Sequence, residues 1–306
     1  MTVSGLAVLL MAYGTPSSED DVEAYLTDIR GGRKPTPRAV EDLRARYRKI
    51  GGKSPLLEIT QAQGAALERV LSSRGVDTQV YVAMKHWQPY IREVVPQIAQ
   101  NGCRRLIGLV LAPHYSHIST DGYKQAFDQA LASTPILQVD FIGSWHDHSG
   151  FHAAIGEKIQ RALQRFPQST RGNVQILFTA HSLPESILEK NDPYPQQLQA
   201  SCQSVASLLR LGRWSFAYQS AGHTNEKWLG PDILEFLEEF SGRERGGNVL
   251  VVPIGFVADH LEILYDIDIE AQSAAEARGM NLKRAESLNT SPKFIETLSD
   301  IVSRRL

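Results

Sequence analysis

Short aliphatic and β-branched runs alternate along this chain with longer segments whose apolar residues recur every three or four positions. The runs predict strands near 5–12, 77–83, 105–111, 136–142, 174–179, 215–220 and 248–253, because nearly continuous apolar stretches of that length suit strands covered on both faces. The segments between them predict helices with ordinary punctuation: Ser18 ahead of Glu19 and Asp20, Pro37 opening 37–50 with Gly51 and Gly52 behind it, and Pro231 opening 231–241. This alternation predicts an α/β fold of open, mostly parallel sheets flanked by helices, with ligands bound beyond the carboxyl ends of the strands.

The stretch 255–270, GFVADHLEILYDIDIE, breaks the routine. Read as an α-helix, it sets Glu262, Asp266 and Glu270 on one side, in a stripe roughly 80° wide with successive members about 6 Å apart along the axis. Ile263 and Ile267 border the stripe on one side, Leu261, Tyr265 and Ile269 on the other, and Leu264 backs it. A helix so apolar is expected to be buried, and buried carboxylates are costly unless a cation meets them. The row therefore reads as a site or path for a metal ion or a proton. The competing reading is a D-x-x-E capping box at Asp259 and Glu262, with Asp266 and Glu270 wetted on an exposed edge. Spacing alone weighs the two evenly.

At 306 residues the chain suits two domains of about 150 each. The division is expected near Trp145 to Gly150, giving 1–147 and 148–306, with the C-terminal helix packing back on the first domain. Charged residues are 22% and apolar ones 42%, which excludes a largely disordered chain. A net charge of −2 and the lack of any long Lys/Arg run call for neither nucleic acid nor a membrane surface. The first fourteen residues lack the charged leading region and cleavage site of a secretion signal and run into Gly14-Thr15-Pro16, as a buried strand enters a turn; the expected location is the cytoplasm. No apolar run approaches the roughly 20 residues that cross a bilayer. Cys103 and Cys202 are too few for a four-cysteine metal centre and are expected to be plain buried thiols. The segment 144–152, SWHDHSGFH, tempts a metal assignment, but at an interdomain crossover a wetted polar linker is the stronger expectation.

Each strand should deliver its next residues to one rim. The first half gives Met11 to Pro16, then Lys85-His86-Trp87, then Ala112 to Ser116. The second half gives Ala180 to Pro184, then Gln219 to His223, then Pro253 to Glu262. A lone histidine is usually structural, but loops that all carry ligand-type or aromatic residues point to a shared cleft. No GxxxxGK[ST] or GxGxxG is present, so no nucleotide cofactor is expected. Ser182 lacks the flanking glycines of a nucleophile elbow, which makes serine hydrolysis a weak candidate.

The motifs LLMAYGTP, LAPHYS, FTAHSLPES, DPYP, YQSAG, WLGP and PIGFVADHLEILYD resemble, in order and at matching separation, the motif series of the ferrochelatases. The resemblance runs from Leu9 to beyond Asp266. The tyrosine of AYGTP and the lack of a C-terminal extension are most similar to the soluble coproporphyrin ferrochelatases of Gram-positive bacteria. The resemblance implies two Rossmann-like domains enclosing a porphyrin cleft, Fe²⁺ as substrate and no organic cofactor. It implies that His181 and Glu262 bind iron and handle the pyrrole protons, and that Tyr13 lies on the opposite porphyrin face and ligates the product iron. Arg30, Arg46, Tyr47, Ser54 and Tyr123 match porphyrin and propionate contacts. Asp266 and Glu270 match positions for a second, hydrated cation such as Mg²⁺, and Lys85 with His86 matches a basic pair near the cleft mouth.

The chemistry suits these residue types. Iron insertion bends the ring, strips water from the ion and removes two protons, and a neutral imidazole titrating near pH 6.5 is both a ligand for Fe²⁺ and a general base. Hard carboxylates at Asp266 and Glu270 suit a hydrated cation or a proton relay. Coproporphyrin III carries four carboxylates, which Arg30, Arg33 and Arg46 and the hydroxyls of Tyr47, Ser54 and Tyr123 can meet. The plain alternative makes Arg44, Arg46 and Arg48 a solvated helix face. Where relatives carry paired arginines this chain reads Arg30-Gly31-Gly32-Arg33, one anchor fewer, and His223 stands where close relatives have a non-ionisable residue; no catalytic role is assigned to it. The resemblance further implies a monomer that passes its product to a coproheme decarboxylase. Use of protoporphyrin IX, a non-catalytic heme or metal carrier, and metal-dependent hydrolysis are the competing functions, the last without an HExxH motif.

Overall fold

The computed structural model describes residues 5–132, 134, 138–222, 226–244 and 246–306; His223 lies outside them. The chain forms two compact units, the first taking the residues up to Trp145 with Ala258–Leu261 and Asn289–Leu306, the second His146–Val257 and Glu262–Leu288.

The first unit is built on β1 (Leu6–Ala12), β2 (Gln79–Met84), β3 (Arg105–Val110) and β4 (Gln138–Ile142), all parallel, in the order β2-β1-β3-β4. The second is built on β5 (Gln175–His181), β6 (Trp214–Gln219), β7 (Asn248–Val252) and β8 (Asn281–Arg284), all parallel, in the order β6-β5-β7-β8. One topology thus occurs twice without a repeat in the sequence. β8 escapes the hydrophobic pattern because NLKR has a single aliphatic residue. Its ladder to β7, with Leu250 opposite Lys283, is what makes it a strand.

The apolar runs become central strands: Leu9, Leu10 and Met11 of β1 are fully buried, as are Leu177 and Phe178 of β5. In the first unit α4 (Ile91–Gln100) and α5 (Thr120–Leu131) supply Val94, Val95, Ile98 and Phe127 to the core around Leu9 and Met11. α3 (Leu56–Ser73) packs with α10 (Pro292–Ser303), tied by Arg74 to Asp300, while Gln63 of α3 donates to the Asn289 carbonyl. In the second unit Leu237 and Phe240 of α8 (Ile233–Arg243) meet Val249, Val251, Ile263 and Ile267. α6 (Ser149–Leu163) and α7 (Tyr194–Leu209) pack together.

Three sequence expectations need correction. The helix expected from Pro231 opens at Ile233, because Asp232 caps it, accepting from Leu234 N at 2.8 Å and pairing with Glu235 in a capping box. The segment 144–152 is no wetted linker. His148 and His152 are buried and serve the main chain: His148 Nδ1 accepts from Gly150 N at the start of α6, and His152 Nε2 lies 2.8 Å from the His146 carbonyl. The acidic stretch is not α-helical either. Ile263–Ala271 is a π-helix running into α9 (Gln272–Ala277), whose i→i+5 bonding gives roughly 4.4 residues per turn and offsets residues four apart by about −30° rather than +40°. The acids still share a face, with the stripe drifting in the opposite sense. Cys103 and Cys202 are free and buried, and no helix among the described residues is long and apolar enough to cross a membrane.

Candidate functional site

In each sheet the first strand lies between the second and the third, so the chain leaves it in one direction, returns, and continues in the other. The crevice beyond the carboxyl end of such a strand is where open α/β sheets bind ligands. Tyr13 follows β1 at this point and His181 ends β5. Two glycines shape these ends. Gly14 has φ +107°, and a Cβ there would lie 2.9 Å from Trp87 N. Gly255 continues β7 alongside β5, its N–H bonded to the Thr179 carbonyl, where a Cβ would lie 2.6 Å from Ala180 Cβ. That close approach starts the chain toward the π-helix.

In the second unit His181 and Glu262 meet, Nε2 to Oε1 at 3.6 Å, with side chains 31% and 34% exposed. The Ser182 carbonyl accepts from Nδ1, and the Tyr194 hydroxyl donates to the His181 carbonyl at 3.0 Å. Trp228 stands 6.5 Å from the imidazole between ring centroids. Burial works to lower the His181 pKa, but the Glu262 charge and hydrogen bond, the Ser182 carbonyl and the Asp266 charge together raise it to about 9. These neighbours favour the imidazolium form of His181 at neutral pH over the neutral imidazole expected from an isolated histidine. Asp266 is 4% exposed and accepts from Ser220 Oγ, whereas Glu270 is exposed. Burial, with Glu235 and Glu270 nearby, raises the Asp232 pKa. Among the described residues no three His, Cys, Asp or Glu side chains converge as a metal-holding group.

In the first unit the continuation of β2 clamps a second cluster: Lys85 N bonds to the Ala12 carbonyl and His86 N to that of Tyr13, both at 2.9 Å. The Tyr13 ring, 40% exposed, lies 4.6 Å from that of His86. Lys85 Nζ is 5.9 Å from the Tyr13 ring and 5.1 Å from the Tyr123 ring. His86 Nδ1 is 2.9 Å from Asp28 Oδ2. Burial pushes the Lys85 and His86 pKa values down, with Asp28 opposing in both.

The expected propionate contacts differ in setting. Arg30 and Arg33 are exposed at the end of α1 (Val22–Ile29), and Arg46 is half-buried on α2 (Pro37–Lys49). Arg44 and Arg48 serve the fold, donating to the Glu19 carbonyl and to the Glu19 and Glu41 carboxylates. Tyr47 is buried with Val22 and Val40, its hydroxyl 2.9 Å from Thr15 Oγ1; Ser54 and Tyr123 are buried too. Sequence reasoning gave no role to Tyr194 of DPYP, Trp228 of WLGP or Ser220 of YQSAG, although each sits in a quoted motif.

Two doubly wound parallel units, with a histidine–carboxylate pair at the switch point of one and a tyrosine–basic cluster at that of the other, define a chelatase-type architecture. SirB from Bacillus subtilis, solved with Fe³⁺, shares this fold at a TM-score of 0.60 and 12% identity, over 98% of this chain and 94% of that one. The chain belongs to the ferrochelatase family, whose profile matches residues 5–306 and whose members are metal-chelating lyases that insert iron into a porphyrin. It is 46% identical to the ferrochelatase of Herpetosiphon aurantiacus, over 97% of this chain and 98% of the relative. It is 40% identical to the coproporphyrin III ferrochelatase of Geobacillus kaustophilus, over 97% and 95%.

Proposed function

We propose that the protein inserts Fe²⁺ into coproporphyrin III, releasing two protons, as a step of heme biosynthesis. The observation that carries this reading is the His181–Glu262 pair, 3.6 Å apart at the end of β5. Fe²⁺ arriving beside an imidazolium repels its charge, and the Nε2 proton passes through Glu262 to solvent; Nε2 is then free as a ligand, and the Glu262 carboxylate takes the two pyrrole protons one after the other, releasing each outward. Asp266, and Glu270 toward the surface, then hold a hydrated cation or pass protons outward. Tyr13 ligates the iron of the product, with Lys85 and His86 beside it. Arg30 and Arg46 meet propionates, and Tyr47, Ser54 and Tyr123 add hydroxyl contacts. The tetracarboxylate substrate is supported by the Geobacillus relatives named for coproporphyrin III. The reading also includes a cytoplasmic monomer that hands its product to a decarboxylase.

The test is anaerobic insertion followed spectroscopically. His181→Ala is expected to abolish insertion while porphyrin binding persists, and retained wild-type insertion in that variant rejects the role. Turnover with coproporphyrin III is expected to exceed that with protoporphyrin IX; a clear preference for the two-propionate ring replaces the substrate assigned here.

A further inference from the structure

The turn that leaves β6 touches the π-helix twice. Gln219, fully buried, donates Nε2 to the Glu262 carbonyl at 3.2 Å, and Ser220 Oγ donates to Asp266 Oδ2. The two acceptors stand just before and within the first wide turn. Both contacts are made at a cost. Ser220 sits at φ +60°, a left-handed conformation that glycine and asparagine adopt more readily than serine. Gln219 Oε1 is buried with no hydrogen-bond partner among the described residues, the penalty for turning Nε2 toward Glu262. Local strain and an unsatisfied buried acceptor, side by side, are characteristic of a place that holds a functional group in position.

Gln219 also serves the sheet, its carbonyl accepting from Ser182 N at 2.8 Å, so it is the side chains that are left to the helix. The β6 ladder to β5 ends at Gln219, and the helix that follows begins only at Ile233. What the two residues fix is the register of an element whose wide turns are rare and cluster at functional sites. Asp266 needs such a contact, because a carboxylate this deeply buried must be hydrogen-bonded.

We propose that Ser220 and Gln219 are positioning residues for iron insertion: Gln219 sets Glu262 against His181, and Ser220 holds Asp266 one place further along the helix. The inference rests on the reading that Glu262 and Asp266 handle iron or its protons.

The test measures anaerobic insertion into coproporphyrin III at saturating porphyrin with Fe²⁺ varied. Ser220→Gly removes the hydroxyl and relieves the backbone, so a purely conformational role for Ser220 would leave insertion intact. Ser220→Asn accepts the left-handed conformation and returns a donor within reach of Asp266. Loss of a hydrogen bond to a carboxylate is expected to raise the KM for Fe²⁺ about tenfold in Ser220→Gly, with kcat changed by less than about twofold and the melting temperature not lowered. Ser220→Asn is expected to recover most of that loss. Wild-type KM in Ser220→Gly overturns the inference. Asp266→Asn separates the two levels: if it raises KM and Ser220→Gly does not, the positioning role alone fails, and if neither moves KM, the reading of Asp266 fails with it.

Discussion

His181 shows how far a neighbour redefines a residue. An imidazole that titrates near 6.5 alone is held protonated to about 9, chiefly by Glu262 against the opposing effect of burial. Because the folded pKa lies above the unfolded one, the stabilisation from this pair is complete below pH 6.5 and is lost as pH rises through about 9. Glu262→Gln is expected to lower the His181 titration midpoint well below 9, as read from its imidazole proton resonances; an unchanged midpoint would assign the shift to another group. Gly14 is a second case. Its φ of +107° and the proximity of Trp87 N mean that Gly14→Ala should destabilise the fold by about 1–3 kcal/mol in urea denaturation. The strand-end placement of Tyr13 and His181 was legible in the sequence because apolar runs locate the strand ends, while the meeting of His181 with Glu262 was implied by the family resemblance. Ser220 was not legible, since neither its left-handed backbone nor its contact with Asp266 leaves a local signal.

At the scale of elements, a period of four fits both an α-helix and the π-helix observed, so the acids were legible and their helix was not. Burial then separates Asp266 from Glu270 and, on the proposed reading, their roles. Asp266→Ala is expected to raise the KM for Fe²⁺ in low and high salt alike, whereas any effect of Glu270→Ala, exposed and open to screening, should fade as salt is added. Equal salt dependence would contradict that division. α2 sorts its arginines in the same way. Arg48 is engaged by Glu19 and Glu41 on the exposed side, so Arg48→Ala should leave the KM for coproporphyrin III, the proposed substrate, within about twofold, while Arg46→Ala, at a proposed propionate contact, raises it about tenfold. Two histidines of 144–152 reverse the usual inference from polarity: His148 and His152 are buried, each with one ring nitrogen paired to the main chain.

For the whole molecule, each unit depends on its own core. Phe127, fully buried among Met11, Val95 and Ile98, anchors the first, and Phe127→Ala should cost about 3–5 kcal/mol in equilibrium unfolding. The net charge of −2 offers no general attraction for the proposed tetracarboxylate substrate, so on that reading affinity should depend on particular arginines and not on the overall field. The sequence by itself determined the α/β class, seven of the eight strands among the described residues and the strand-end positions of Tyr13 and His181, because apolar runs and strand-end motifs are local and survive without context. Tertiary structure alone decided that the two units share one strand order and that NLKR is a strand. It also decided that His181 has neighbours that favour its protonated form, and that Asp266 and Glu270 ride a π-helix which Ser220 contacts at Asp266. Each of these depends on a partner distant in the chain, and hydrogen bonds and charges at 3–4 Å carry no periodicity that a sequence can show.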